Sequence, residues 1–350
     1  MNMSIKPIKI GNFEISDYGK AFIIAEMSGN HNQSLERALE IVEAAAASGA
    51  HAIKLQTYTA DTMTIKGALT ITDPNSLWNG RELHELYQEA YTPWEWHKPI
   101  FDKAKDLGLI AFSTPFDESA VDFLESLDVP AYKIASFENT DMPLLKKVAS
   151  MNKPVIISTG AATIANLDEA INTLRTNGCK EIIILKCTST YPATPENTNL
   201  RTIPHMRDLF NCYVGLSDHT MGIGASVAAV ALGARVIEKH FTLRRADGGV
   251  DSEFSIEPQE LRNLVTESER AFLALGNIQY GVQASERKSV DYKRSIYVSR
   301  DIIAGEIFST DNIRIVRPAY GLAPKFFDMV IGKEAKVDIK SGTPLTWAIL

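Results

Sequence analysis

The chain alternates short apolar runs, rich in Ile and Val, with longer stretches whose apolar residues recur at helical spacing. This alternation is typical of repeated βα units around a parallel sheet. One helical stretch, SLERALEIVEAAAASGA, begins at Ser34, a favourable N-cap residue, and is stopped by Gly49. The predicted strands lie at residues 22–27, 52–57, 109–114, 131–136, 154–159, 181–187, 213–217 and 236–241.

Eight strands, each followed by a helix, predict a (β/α)8 TIM barrel of the α/β class. The span from the first strand to about Gly281 matches the length of about 250 residues that is usual for this fold. A doubly wound open sheet is the alternative, but no G-x-G-x-x-G motif follows the first strand. The stretch from Asp61 to about Trp94 would form a long βα loop, with a packed helix starting at its end.

Beyond the barrel the pattern changes to short β-like pieces such as SIYVSRD and IRIVRP. These pieces predict a second, small and mostly β module. The predicted organisation is therefore a barrel over residues 1–282, a linker over 283–290 and the β module over 291–350. The basic residues around the linker are most simply a solvated surface.

Composition narrows the class of protein. The 350 residues carry a formal charge of -7 and no basic stripe, which argues against nucleic-acid binding. The three cysteines form no C-x-x-C pair, so neither a disulfide framework nor a thiolate zinc site is expected. The chain shows neither a membrane-spanning apolar run nor the pattern of a signal peptide. We therefore expect a cytoplasmic protein without a membrane partner.

Almost every predicted strand ends in polar residues, and in a barrel the strand ends converge on one mouth, where the active site forms. Singly, each residue has an ordinary explanation, as a helix cap, a solvated lysine or a core histidine. Together, lysines and hydroxyls supply the charge and the donors that a small phosphorylated acid requires. The polar strand-end residues are Glu26, Lys54, Gln56, Ser113, Thr114, Lys133, Ser136, Ser158, Thr159, Lys186, Thr188, Ser189, Ser217, Asp218, His219, Lys239 and His240.

His219 and His240 end adjacent predicted strands, so their imidazoles should lie close together. Two imidazoles suit a divalent metal that could polarise a substrate carbonyl. A histidine pair that does acid–base work without a metal is the alternative. Asp218 could orient His219. The loop RADGGVDSEF adds Asp247 and Asp251, which could bind sugar hydroxyls, although glycine-rich loops with Asp are also ordinary turns.

Eight motifs, in order along nearly the whole chain, make the sequence resemble the sialic acid synthases, which join phosphoenolpyruvate to an amino-sugar aldose. The motifs are AEMSGNHN, IKLQTY, FSTPFD, YKIAS, VIISTGA, CTSTYP, GLSDHT and EKHFT. The C-terminal module resembles the antifreeze-like (SAF) domain of that family. The resemblance implies a carbon–carbon bond-forming transferase built from a TIM barrel and a SAF domain.

The resemblance also implies site residues, here named at matching positions. His219 and His240 would bind Mn²⁺ or Mg²⁺ and, with Glu26 and Asp251, form the catalytic set. The positions for phosphoenolpyruvate are Lys54, Thr114, Lys133, Ser136, Ser158, Ser189, where the commoner pattern has Asn, and Ser217. The sugar-side positions are Asn30, Gln56, Glu138, Tyr191, Asp251 and Arg317. Arg317 matches an arginine lent to the partner subunit's site, which implies a domain-swapped homodimer.

Two departures from the commoner motifs indicate the substrate. EMSGNH replaces E-I-G-x-N-H, and ADGGVDSEFS replaces a G-P-D-H run, and both resemble the pseudaminic acid synthase branch. That branch condenses phosphoenolpyruvate with 2,4-diacetamido-2,4,6-trideoxy-L-altrose and water to give pseudaminic acid and phosphate. An N-acetylneuraminate or legionaminate synthase, a metal-dependent aldolase and a non-catalytic sugar-binding protein are the alternatives. An aldolase would release no phosphate, and sugar binding alone would require neither the histidines nor the lysines.

Overall fold

The computed structural model describes residues 5–350, and it begins with a β-hairpin that the hydrophobic pattern did not predict. Strand β1 (Ile8–Ile10) pairs with β2 (Phe13–Ile15) across a tight turn in which Gly11 has a positive φ. The inward-facing isoleucines of the hairpin are buried in the main core. Strands of three residues are too short to show a clear alternation in sequence, which is why the pattern missed them.

Eight parallel strands close into a barrel, as predicted, and the doubly wound alternative is excluded. Each strand pairs with the next along the chain, and the last one pairs with the first. The strands are mostly apolar and are buried on both faces, as expected for parallel strands covered by helices. The barrel strands are β3 (Phe22–Glu26), β4 (Ala52–Thr57), β5 (Ile110–Pro115), β6 (Tyr132–Ile134), β7 (Val155–Ser158), β8 (Ile182–Cys187), β9 (Tyr213–Asp218) and β10 (Val236–His240).

Helices follow the barrel strands and pack against them. The first begins as predicted, because the hydroxyl of Ser34 accepts the amide of Arg37. The helices of the barrel unit are α1 (Leu35–Ala47), α2 (Ala60–Met63), α3 (Leu83–Ala90), α4 (Trp94–Asp106), α5 (Glu118–Ser126), α6 (Met142–Ser150), α7 (Ile164–Thr176), α8 (Pro195–Thr198), α9 (Thr202–Phe210), α10 (Gly224–Ala231) and α11 (Pro258–Leu275). Short 3-10 turns occur at Ser28–His31, Ser136–Glu138 and Arg245–Asp247.

The predicted long loop after β4 contains the helices α2 and α3. Between them the chain folds back on itself, and Thr70 forms a β-bridge with Glu82. Near the tip of this fold, Trp78 donates a hydrogen bond from Nε1 to the carbonyl oxygen of Val250 (3.0 Å). The long loop is therefore fixed to the loop that follows β10.

The chain divides into two compact units, Met1–Gly276 and Asn277–Leu350, and the division falls ahead of the predicted boundary at residue 282. In the second unit, β11 (Ser295–Val298) and β12 (Ile313–Val316) form an antiparallel pair over a separate small core. Among residues 5–350, none of the helices combines the length and the apolar character that a membrane span requires.

The stretch predicted as a linker, 283–290, is folded as a 3-10 helix over Ala284–Tyr292. Gln283 and Glu286 form a reciprocal capping box at its start, and this local hydrogen bonding orders the segment. The second unit also contains helix α12 (Phe327–Val330) and 3-10 turns at Pro324–Phe326 and Trp347–Ile349.

Candidate active site

Two lysines and two glutamates meet inside the carboxyl end of the barrel. Lys54 Nζ lies 2.6 Å from Glu26 Oε2 and 3.9 Å from Glu238 Oε2. Lys133 Nζ lies 3.7 Å from Glu238 Oε1. All four side chains are buried. Buried charges are tolerated when they are paired, and here each lysine lies beside at least one carboxyl group.

Three of the predicted phosphoenolpyruvate hydroxyls contact this cluster. Lys54 Nζ donates to Thr114 Oγ1 (3.0 Å), and Lys133 Nζ donates to Ser158 Oγ (2.7 Å). Ser217 Oγ donates to the glutamate on β10 (3.0 Å). The structure therefore brings residues from seven of the eight barrel strands into one polar network, as the strand-end pattern predicted.

The other two predicted hydroxyls, of Ser136 and Ser189, adjoin each other beside Gly160. The amide of Gly160 donates to Ser136 Oγ (3.1 Å). A Cβ at position 160 would lie 2.6 Å from Ser136 Oγ and 2.0 Å from Ser189 Oγ. Glycine is thus required here so that both hydroxyls can occupy their positions.

Burial and charge set different pKa values for the two glutamates. Burial raises the pKa of Glu26 above its usual range, although Lys54 opposes the shift. Burial also disfavours the charged form of Glu238, but Lys133 and Lys54 outweigh it and lower the pKa of Glu238. Glu26 is therefore the carboxyl group better able to hold a proton near neutral pH.

The imidazoles of His219 and His240 lie side by side at the ends of β9 and β10, with ring centroids 5.3 Å apart. His219 Nδ1 donates to the carbonyl oxygen of Thr188 (3.0 Å), which leaves Nε2 as the nitrogen for a ligand. His240 Nδ1 is buried and has no hydrogen-bond partner among residues 5–350. Burial holds the pKa of His240 well below its usual range, so this imidazole is neutral, the form that binds metals.

The two histidines fit a divalent ion whose remaining positions are open to water or substrate. Within the described part of the chain, no group of three or more His, Cys, Asp or Glu side chains is arranged to hold a metal ion. His219 and His240 are the residues that would hold such an ion.

Aromatic side chains enclose the histidine pair. The Tyr191 ring lies 4.5 Å from His219 and 5.3 Å from Phe254, and the Phe254 ring lies 4.9 Å from His240. Trp78 packs against Tyr191 at 5.7 Å. Tyr191 was predicted, whereas Phe254 and Trp78 were missed because they lie in loops away from the strand ends. The apolar wall excludes water from one side of the imidazoles.

Asp251 reaches the site from the loop after β10. Its carboxylate accepts a hydrogen bond from Ser28 Oγ and lies 3.9 Å from His240 Nδ1. Gln56 Nε2 donates both to Ser28 Oγ and to Glu26 Oε1, each at 3.0 Å. Burial raises the pKa of Asp251. The two candidate proton carriers, Glu26 and Asp251, thus belong to one hydrogen-bonded chain.

Family models match most of this chain: the NeuB family model covers residues 41–280, and the SAF domain model covers residues 293–350. The chain belongs to the NeuB family. It is 44% identical over 339 residues to the pseudaminic acid synthase of Campylobacter jejuni, covering 97% of this chain and 98% of that protein. It is 41% identical over 329 residues to the pseudaminic acid synthase of Helicobacter pylori, covering 93% and 96%.

A solved structure supports the same assignment. The crystal structure of N-acetylneuraminic acid (sialic acid) synthetase from Leptospira borgpetersenii, in complex with citrate, is 32% identical and superposes with a TM-score of 0.74. The match covers 82% of this chain and 96% of that one. The predicted family, the barrel and the SAF domain are confirmed.

Three further predicted sugar-side residues of this NeuB-family chain are Asn30, Glu138 and Arg317, and each lies in a different environment. Asn30 is fully buried, and its Nδ2 donates to the carbonyl oxygen of Phe241 (2.9 Å), so it joins the loop after β3 to the end of β10. Glu138 is partly buried, and burial raises its pKa to about 7 although Lys133 opposes the shift. Arg317 is exposed in the second unit, and its role in a partner's site stays a prediction.

Two acidic residues of the NeuB-family barrel form ion pairs instead of the contacts predicted for them. Asp218 was expected to orient His219, but its carboxylate makes no hydrogen bond to that imidazole and lies 2.9 Å from Lys239 Nζ. Successive residues at a strand end point to opposite faces, which separates the two side chains. Asp247 lies 2.9 Å from Arg37 at the outer side of its loop. Neither carboxylate joins the polar network of the mouth.

Proposed function

We propose that the chain is a pseudaminic acid synthase, which condenses phosphoenolpyruvate with 2,4-diacetamido-2,4,6-trideoxy-L-altrose and water and releases phosphate. The observation that carries the proposal is the buried Lys54–Lys133 cluster with its hydroxyls at the same barrel end as the imidazole pair. Lysines and hydroxyls suit a phosphate and a carboxylate, which phosphoenolpyruvate combines in one small molecule. The relatives named as pseudaminic acid synthases support the choice of sugar.

A divalent metal, Mn²⁺ or Mg²⁺, belongs to this proposal, held by His219 and His240. When bound, it would supply Lewis-acid activation of the acceptor's aldehyde. The neutral state of His240 and its unpartnered Nδ1 support this role. The alternative is a histidine pair that only moves protons, which the strongly lowered pKa of His240 does not favour. Burial also disfavours the charged form of His219, but Cys187 and Thr188 outweigh it and raise the pKa of His219.

The protein's own part in the reaction is positioning and charge. Lys54 and Lys133 would donate hydrogen bonds to the carboxylate and the phosphate of phosphoenolpyruvate, and the surrounding hydroxyls would orient it. C3 of phosphoenolpyruvate bonds to the aldehyde carbon, water adds at C2, and the C2–O bond breaks to release phosphate. Of the two protons of that water, one ends on the aldehyde oxygen and the other leaves with the phosphate. Glu26 and Asp251, whose pKa values are raised, would exchange these protons.

The proposal includes a domain-swapped homodimer, in which Arg317 of each subunit reaches the site of the other. The exposure of Arg317 and the presence of a SAF domain support this arrangement. An arginine of this kind would pair with an anionic group of the substrate.

The deciding experiment compares phosphate release from phosphoenolpyruvate with two acceptors, the 2,4-diacetamido-6-deoxy sugar and N-acetylmannosamine, in the presence of Mn²⁺ or Mg²⁺. We expect faster turnover of the 6-deoxy sugar. Equal or faster turnover of N-acetylmannosamine would contradict the pseudaminic assignment and leave the synthase chemistry intact. Absence of phosphate release with every acceptor would favour an aldolase or a sugar-binding protein.

The metal role is tested by the variants His219→Ala and His240→Ala. We expect each variant to lose phosphate release and Mn²⁺ binding, because each removes one of the two imidazole ligands. Activity before and after chelation, together with the electron paramagnetic resonance signal of free Mn²⁺, measures both effects. A variant that stays active after chelation would contradict the metal role.

A further inference from the structure

A buried ion pair lies beside the two histidines and outside the polar network of the mouth. Lys239 Nζ is 2.9 Å from Asp218 Oδ2, and both side chains have 0% exposure. The parallel register places Lys239 directly opposite Asp218 on β10 and β9. The ion pair therefore stands one residue before His219 on one strand and one residue before His240 on the other.

The Lys239 ammonium also contacts the backbone on the C-terminal side of His219. Its Nζ donates to the carbonyl oxygen of Thr220 (2.5 Å), so one amine contacts the residue before His219 and the residue after it. Because Lys239 itself immediately precedes His240, this single side chain connects the two backbone segments that carry the imidazoles.

The Asp218 carboxylate is fixed by further donors. Its Oδ1 accepts from the amide (2.8 Å) and the hydroxyl (2.7 Å) of Thr220, and its Oδ2 accepts from Ser226 Oγ on α10 (2.6 Å). A carboxylate with this many donors has little freedom to rotate. The turn that carries His219 is thus held by β10 and by α10 at the same time.

Stability alone does not account for an ion pair at this position. Desolvation of two buried charges offsets most of their attraction, so apolar residues of similar volume would hold the strands as well. The neighbouring buried positions of the two strands are indeed apolar, for example Val214, Leu216 and Ile237. What a charged pair adds is directional hydrogen bonding, which fixes geometry.

We propose that Asp218 and Lys239 are positioning residues that set the distance and the orientation of the His219 and His240 imidazoles for a divalent ion. The inference rests on the metal site of the proposed function. Side chains that orient metal ligands typically contribute about 10- to 100-fold to metal affinity. Asp218 and Lys239 act through the backbone on either side of the ligands, without contacting the ion or the substrate.

Mn²⁺ affinity of the full-length protein without substrates, measured from the resonance signal of free Mn²⁺, tests this inference. The variants are Asp218→Asn, Lys239→Met and the double variant. Each single variant leaves one buried charge unpaired, so we expect lower thermal stability and about 10- to 100-fold weaker Mn²⁺ binding. The double variant removes both charges, so its stability should recover, while Mn²⁺ binding should stay at least about tenfold weaker.

A control at a second, less buried ion pair is Arg207→Met. It breaks an ion pair with Asp17 (2.7 Å) beside Tyr213, at the opposite end of β9 from His219. We expect this control to lose stability and to keep the Mn²⁺ affinity of the wild type.

The outcomes separate the two proposals. If the double variant regains both stability and wild-type Mn²⁺ affinity, the ion pair serves stability alone and the inference is overturned. If Arg207→Met weakens Mn²⁺ binding as much as Lys239→Met does, the effect is general destabilisation and the inference is again overturned. If the wild type binds no Mn²⁺, the metal part of the proposed function fails, and the inference fails with it.

Discussion

Among single residues, Glu238 is the one that the strand-end pattern overlooked and that the site most clearly uses. It lies inside β10 between Lys54 and Lys133, and it accepts a hydrogen bond from Ser217. Its negative charge offsets the repulsion between the two lysines. Glu238 stands two residues before His240, so strand alternation places both on the interior face, and this spacing could have identified it from sequence.

Gly160 is a second residue with a specific role in the site. We predict that Gly160→Ala raises the KM for phosphoenolpyruvate. The new methyl group would displace the hydroxyls of Ser136 and Ser189. Loss of hydrogen bonds to a charged group predicts an increase of about tenfold to a hundredfold. Steady-state kinetics measures it, with the KM for the sugar much less affected. Ala161→Gly, which adds no atom, is the control, and an unchanged KM in Gly160→Ala would refute the prediction.

The raised pKa of Glu138 predicts a pH-dependent stability. Because the folded chain holds this proton up to about pH 7 and the unfolded chain only to about 4.5, Glu138 contributes stability below pH 4.5 that is lost as the pH rises to 7. Glu138→Gln removes this dependence. From pH 4.5 to pH 7, the free energy of unfolding of the wild type should therefore fall by up to about 3 kcal/mol relative to that of Glu138→Gln. Chemical denaturation at several pH values measures it, and a constant difference would count against the shift.

Among the secondary-structure elements, β9 and β10 decide the geometry of the histidine pair. Their register places Gly215 opposite Val236 at one end and Asp218 opposite Lys239 at the other. A Cβ at Gly215 would lie 2.2 Å from the carbonyl oxygen of Val236. The two strands can approach closely only because this position carries no side chain.

We therefore predict that Gly215→Ala disrupts the pairing of β9 with β10. The added methyl group meets backbone, which cannot move aside, so we expect a loss of about 3 kcal/mol or more in the free energy of unfolding, together with loss of activity. Thermal and urea denaturation provide the measurement. Gly224→Ala is the matched control, since a Cβ there meets nothing within 4 Å. Equal stability of the two variants would be incompatible with this account.

At the scale of the whole molecule, the chain consists of two compact units. Each has its own buried core, and the family match includes both the barrel and the SAF domain. In the proposed homodimer a complete site combines the barrel of one subunit with Arg317 of the other.

This arrangement predicts complementation between two inactive variants, Arg317→Ala and His240→Ala. A mixed dimer of the two contains one complete site, so random assembly after co-expression should restore about a quarter of the wild-type activity. The pair His219→Ala and His240→Ala is the control and should restore none, because every barrel then lacks a histidine. Activity of the first mixture no greater than that of the separate variants would rule out a shared site.

The sequence by itself determined the architecture and most of the mouth. Apolar periodicity and polar strand ends are local features, and a closed parallel barrel has one end at which all carboxyl termini of its strands meet. Lys54, Lys133 and the histidine pair were therefore predictable as neighbours before any coordinates were known. The ordered motifs then indicated the family, which the comparisons confirmed.

Only the tertiary structure decided which side chains pair with one another. It placed Glu238 between the two lysines, joined Asp218 to Lys239 instead of His219, and set Phe254 and Trp78 around the imidazoles. It also showed the N-terminal hairpin. The physical reason is that an ion pair or an aromatic contact depends on how loops and strands far apart in sequence meet in space, whereas hydrophobic periodicity records only the face on which each residue lies.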